Sequence, residues 1–204
     1  RNEFINRYLD TAIPAIDAFA NHAQFTLLIH RPDDTPMSLP GTAVDGDPRF
    51  PFYHISDRLE QIEKGESRHI NSYLELTTNN SSKLKDKTIV LAPGFSPNVK
   101  DKGVALLREH AATLSDLVFV FLDASKPNLE DFRTTLAPFL EMTSQSHNPG
   151  KFIYVINQTQ DSVNPVDLNS WKQQLTNLGL QSGQFFILKQ STTTNNQRAI
   201  EQKL

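Results

Sequence analysis

Three short stretches hold side chains where a fold could present them to a ligand. They are Leu91-Ala92-Pro93-Gly94, Asp123-Ala124-Ser125-Lys126 and Asn157-Gln158-Thr159-Gln160-Asp161. Each follows an apolar, β-rich run, so each is expected at the carboxyl end of a strand. By residue type, Pro93-Gly94 is a strand-to-helix turn, Asp123 an Asx-type cap, and Asn157 a side chain able to bond local backbone. Other chemistries are poorly supplied. His22, His30, His54, His69, His110 and His147 include no pair at the i, i+4 spacing of a zinc helix. No G-x-S-x-G nucleophile elbow occurs, and zero cysteines exclude disulfides, thiolate metal sites and a thiol nucleophile. Lys83, Lys85 and Lys87 alternate along one edge, as on a solvated face.

The elements that must position these residues alternate between helix and strand periods. Phe4, Ile5, Tyr8 and Leu9 recur at helical spacing with Asn2 as the candidate cap ahead of them, so the chain opens on a helix. Gln24–His30 reads as a strand. Arg31–Phe52 carries five prolines with Gly41 and Gly46 and is expected to be a long irregular excursion. Ser56 should cap a short helix over Asp57–Lys64 that Gly65 ends. Ser72–Thr78 alternates like a half-exposed strand. Lys87–Ala92 should be a buried strand, Val99–Thr113 a helix, and Asp116–Asp123 a central strand buried on both faces. A helix over Asn128–Met142, a strand over Lys151–Asn157 and a helix over Val166–Leu178 closed by Gly179 follow. Trp171 faces the core of that last helix. Gln184–Lys189 is a strand, Gln190–Asn196 a polar loop and Gln197–Leu204 a final helix. Strands alternating with helices imply a parallel sheet with helices on both faces, and ligands beyond its carboxyl ends.

Composition limits the function classes. Of 204 residues, 38% are apolar and 21% charged, which suits a globular chain with a real core. Twenty basic against 23 acidic side chains give −3, so no global field recruits nucleic acid or an anionic membrane. No apolar run is long enough to span a bilayer and no signal-peptide h-region follows Arg1–Asp10. These features fit a reduced compartment, with any membrane anchor outside these residues.

Taken in order, the strand ends resemble the guanine-nucleotide domain of the dynamin superfamily, in particular its bacterial dynamin-like members. KTIVLAPGF resembles the family's strand ending in Asp-Thr-Pro-Gly, LSDLVFVFLDASKP the next strand and turn, and KFIYVINQTQDS the strand ending in Asn-Lys/Gln-x-Asp. FYHISDRLEQIEKGE and WKQQLTNLGLQSGQFFIL fit the same proteins. RNEFINRYLDTAIP lines up with the helix after a phosphate loop, where the family reads Gly-Lys-Ser-Thr-Phe-Ile-Asn-x-Leu-Leu. The resemblance spans nearly the whole chain. It implies a three-layer, P-loop-like α/β fold: a mostly parallel sheet of about six strands with one antiparallel edge pair.

The same alignment shows losses at each chemical position. Arg1 falls where the phosphate-binding lysine would stand and Asn2 where the Mg²⁺-binding hydroxyl would be; a planar guanidinium does not replace a lysine in a tight nest. Asn21 is a loose match to the threonine that closes over Mg²⁺. Leu91 and Ala92 replace the Mg²⁺-linked aspartate and its threonine. Gly94, whose N–H would meet a γ-phosphate, and Asn157, which would contact guanine, remain; Gln160 holds the guanine-reading position, with Asp161 one residue late. Phosphoryl transfer is catalysed almost wholly by positioned charge. The resemblance therefore implies a pseudo-GTPase: no catalytic residue, no metal and no resident cofactor, with Arg1, Asn2, Gly94, Asn157 and Asp161 as remnants of the nucleotide site. Such a domain serves as an assembly or interaction module, with a protein partner or a homo- or hetero-oligomer. It would be cytoplasmic or peripheral to a membrane by resemblance alone, without nucleic acid. The alternative is an active, divergent GTPase using GTP/GDP and Mg²⁺, its phosphate loop upstream of Arg1. A third reading, a plain binding domain whose site has moved elsewhere, fits the long Arg31–Phe52 excursion.

One domain over 1–204 is expected, with 31–55 as an irregular insertion. The family's first strand, which feeds the phosphate loop, lies between those of Lys87–Ala92 and Asp116–Asp123, and no strand precedes the opening helix here. Two apolar strands would then face unpaired backbone groups, so the sequence is expected to be an N-terminally trimmed part of a longer chain.

Overall fold

The computed structural model describes residues 2–10, 24–32, 37–44, 47–62, 70–93, 102–123, 137, 139–145, 148–158, 165–180 and 184–189. The expected loop Gln190–Asn196, the final helix Gln197–Leu204 and most of the helix Asn128–Met142 lie outside them. The chain is mixed α/β and divides into two compact units, 2–114 and 115–204.

The first unit holds a four-stranded sheet in the order β2-β3-β1-β4, formed by β1 (Phe25–His30), β2 (Met37–Pro40), β3 (Leu74–Asn79) and β4 (Thr88–Leu91). Strand β1 runs parallel to β3, with Phe25 beside Leu74 and His30 beside Asn79. Strands β4 and β2 join antiparallel, on β1 and β3 respectively. One sheet face contributes Phe25, Leu27, Leu74 and Leu76 to a core. That core is closed by the 3₁₀ turn Phe52–Ile55, by α2 (Ser56–Ile62) through Leu59, and by Val104, Leu107 and Ala111 of α3 (Lys102–Leu114). Nε2 of His110 lies 3.1 Å from the carbonyl oxygen of Pro51, and its ring meets Phe52 edge-on.

Opening helix α1 (Asn2–Leu9) buries Phe4, Ile5, Tyr8 and Leu9, the residues its periodicity selects. The Tyr8 hydroxyl donates to the carbonyl of Lys83 at 3.5 Å and accepts from the Lys87 ammonium at 3.4 Å. Lys83 also pairs with Asp10 at 3.1 Å and lies over the Tyr8 ring. Two of the three alternating lysines are therefore drawn onto this helix, while Lys85 stays exposed.

Several expectations give way in this unit. The 31–55 stretch is not wholly irregular: it supplies β2, a 3₁₀ turn over Gly41–Val44 and another over Phe52–Ile55. Pro40 masks the strand in the sequence, yet an edge strand tolerates a residue that cannot donate on its outer side. Gly41 lets this stretch press against the start of β3, because a Cβ there would lie 2.6 Å from the carbonyl oxygen of Leu74 and closer still to that of Asn71. Strand β3 is buried along its whole length rather than half-exposed, since it is central in the sheet and both faces are covered. Strand β4 is buried only at Leu91, because it ladders onto β1 alone among the described residues.

The second unit is a parallel three-stranded sheet, β5-β6-β7, of β5 (Val118–Asp123), β6 (Phe152–Gln158) and β7 (Phe185–Lys189). Helix α4 (residues 139–145) precedes β6, and α5 (Pro165–Asn177) precedes β7. Two successive crossovers of the same hand place both helices on one face. Phe139, Trp171 and Leu175 accordingly share a core with Val120, Leu122, Phe152, Tyr154 and Ile156. Central strand β6 is buried from Phe152 to Ile156. Strand β5, expected at the centre and buried on both faces, stands at one side of this sheet with Phe119 and Phe121 half-buried. The described strands thus form two sheets with two antiparallel pairings, not one sheet with a single antiparallel edge pair.

Helix α5 ends as its glycine predicts. Gly179 has φ +89°, the Leu180 N–H reaches the Leu175 carbonyl at 3.1 Å and the Gly179 N–H reaches that of Thr176 at 2.9 Å. This is a Schellman closure, with Leu175 and Leu180 both buried beneath it.

Candidate functional site

Parallel strands deliver their carboxyl ends to one edge, and that edge is where an α/β sheet meets ligands. In the second unit the register sets Asp123 beside Asn157, Asn157 beside Leu188, and Gln158 beside Lys189. The backbones of Asp123 and Asn157 are therefore neighbours at the end of the central strand. Gln160 and Asp161, three and four residues beyond Asn157, lie outside the described residues.

In the first unit β4 ends on Leu91-Ala92-Pro93, with Leu91 opposite Thr26 of β1. Leu91 is only 7% exposed, and Ala92 packs against the first unit's core. Leu91 and Ala92 are an apolar pair, and neither side chain can hold a metal or its water. Asn2 is the first residue of α1 rather than a cap ahead of it. Arg1, Asn21 and Gly94 lie outside the described residues. Among the described residues, no group of three His, Cys, Asp or Glu side chains could hold a metal ion.

A polar stripe on the first sheet escapes sequence reasoning. Glu75, Thr77 and Asn79 share one face of β3, and the register sets Thr26 beside Glu75 and His30 beside Asn79. Glu75 accepts hydrogen bonds from the Ser38 hydroxyl and, at 3.5 Å, from that of Thr26. The N–H of Ser81 donates to Oδ1 of Asn79 at 2.8 Å. The alternation of SYLELTTNN is the available signal, but it reads equally well as a solvent face. Burial of the stripe depends on what covers the sheet.

Elsewhere, ionisation is shaped by local contacts. The forked bond from Arg49 to Asp47, at 2.7 Å and 3.0 Å, holds that carboxyl below its ordinary range on an exposed loop. Burial pushes the Tyr154 phenol up, an effect partly offset by the Thr143 hydroxyl 3.3 Å away. Neither group lies at the strand ends.

No protein-family model and no curated protein matches this sequence. Two solved structures of an oligomerised bacterial dynamin pair, a mechanism for long-range sensing and tethering of membranes, align with 100% of this chain at 14% identity. Their TM-scores are 0.58 and 0.61, and this chain spans 35% of the length of each. The likeness shows a dynamin-like fold. Among the described residues, no helix is long and apolar enough to cross a membrane.

Proposed function

We propose that this dynamin-like chain is a G domain of three-layer, P-loop-type architecture whose nucleotide site is eroded, and that it serves as an assembly or interaction module. The observation that carries the reading is Leu91. It is a buried leucine at the end of β4, where a working site needs a carboxylate to hold metal-bound water. Arg1 and Asn2 are the matching substitutions in the phosphate loop, and Gly94, Asn157 and Asp161 are its remnants. Each missing charge removes part of the preorganised field on which phosphoryl transfer depends, so no GTP hydrolysis and no resident GTP or Mg²⁺ is expected. The neighbours' description as an oligomerised pair supports a protein partner or an oligomer as what the domain contacts. Membrane association, in a cytoplasmic or peripheral protein, would then come through the assembly.

A second reading is a divergent GTPase. It is favoured by the register of Asp123 with Asn157 at the carboxyl edge, which keeps the backbone geometry of a base-reading strand. Calorimetric titration of GTP, GDP and ATP with Mg²⁺ into the full-length protein separates the two. The eroded site gives no heat under conditions that detect a Kd of about 1 mM, roughly −4 kcal/mol. Micromolar GTP binding would overturn it in favour of the GTPase.

A further inference from the structure

We propose that the carboxyl ends of β1 and β3 form a binding site for an oxyanion oxygen, from a carboxylate or a phosphate. The site is independent of the nucleotide reading. Strand β4 is antiparallel to β1 and sets Leu91 beside Thr26 and Thr88 beside Ile29, so His30 lies at the opposite edge of the sheet from Leu91.

Three buried polar atoms at this edge have no hydrogen-bond partner: Nδ1 of His30, Oγ1 of Thr77 and Nδ2 of Asn79. Thr77 is 2% exposed and Asn79 fully buried. The register makes His30 and Asn79 neighbours and puts Thr77 one position behind on the same face. Buried polar groups are nearly always satisfied, and three orphans at adjacent positions call for a shared partner.

The chemistry of the three atoms defines that partner. Oδ1 of Asn79 is engaged by the Ser81 N–H, which fixes the amide and leaves Nδ2, an obligate donor, turned away from that bond. The Thr77 hydroxyl and an Nδ1–H of His30 are likewise able to donate. Three donors and no obligatory acceptor suit an oxygen that only accepts. Half-buried His30 borders solvent and Arg31 follows it at this edge. Glu75, the acidic residue on this face of β3, is two residues back from Thr77 and four from Asn79, about 7 and 13 Å along the strand, and is engaged by Ser38 and Thr26.

The test is a ¹H–¹⁵N NMR titration of the full chain with inorganic phosphate and, separately, with acetate. Saturable shifts of the Asn79 side-chain amide and the His30 ring nitrogen are expected. They should disappear in Asn79→Leu and weaken about tenfold in Thr77→Val, the loss of one hydrogen bond to a charged group. Response to phosphate alone, or to acetate alone, identifies the source. Thr77→Val keeps shape and β-branching, so it carries the test if Asn79→Leu fails to fold. The proposal is overturned if neither anion produces a saturable shift, or if the shift is unchanged in the variants. A long-lived water contact at the Asn79 amide that neither anion displaces also overturns it, leaving an internal water as the occupant.

Discussion

Placing an aspartate at the end of β4 by Leu91→Asp tests whether that strand end is an accessible ligand site or part of the protein interior. Leu91 is 7% exposed, so the substitution gives up about 2–3 kcal/mol of apolar burial. It also buries a carboxyl at a position built for an apolar side chain, at a further cost of about 1–3 kcal/mol. A total near 4 kcal/mol is a large share of the roughly 5–15 kcal/mol that holds a domain together. Desolvation raises the carboxyl's folded-state pKa above its unfolded value near 3.9. The added penalty is therefore absent below about pH 3.9, where both states are neutral. It grows as pH rises, because the unfolded state ionises first. Urea denaturation followed by far-UV circular dichroism at several pH values reads both effects, and calorimetry with GTP and Mg²⁺ reads function. The expected variant is destabilised, more so at neutral pH, and still does not bind nucleotide. A variant within about 0.5 kcal/mol of the parent that also gains Mg²⁺-dependent GTP binding would refute the reasoning, because Leu91 would then face an accessible site.

Three further substitutions test packing and ionisation elsewhere in the fold. Gly41→Ala drives a methyl into the carbonyl oxygens of Asn71 and Leu74, where backbone cannot yield cheaply. A loss of about 3 kcal/mol, or roughly 6–12 °C in Tm, is expected by thermal denaturation. Gly150→Ala, whose nearest neighbour is the flexible end of Asn148 at 3.3 Å, should stay within about 0.5 kcal/mol. Tyr154 has its phenol pKa raised by burial; its contribution is intact below the unfolded value near 10 and is lost as pH rises through the folded one. Tyr154→Phe should flatten the alkaline fall in urea midpoint. It orphans no donor, because the Thr143 hydroxyl donates its proton to the Phe139 carbonyl at 2.7 Å. An unchanged alkaline limb would show that this phenol is not its source.

The sequence by itself determined the kinds of element and which residues face inward along the helices. Phe4, Ile5, Tyr8 and Leu9 line the buried face of α1, Trp171 and Leu175 that of α5, and Gly179 closes its helix, because capping and 3.6-residue periodicity are local properties. The sequence also located the strand ends at Leu91, Asp123 and Asn157. What it could not hold was the lateral order of strands, which depends on partners distant in the chain. That order makes β3 central and wholly buried, leaves β5 at the side of its sheet, and recruits Met37–Pro40 as an edge strand despite its proline. The polar stripe has the same origin. Alternating polar residues identify a face, but only the strands and helices packed against Glu75, Thr77 and Asn79 decided whether it meets water or the protein interior.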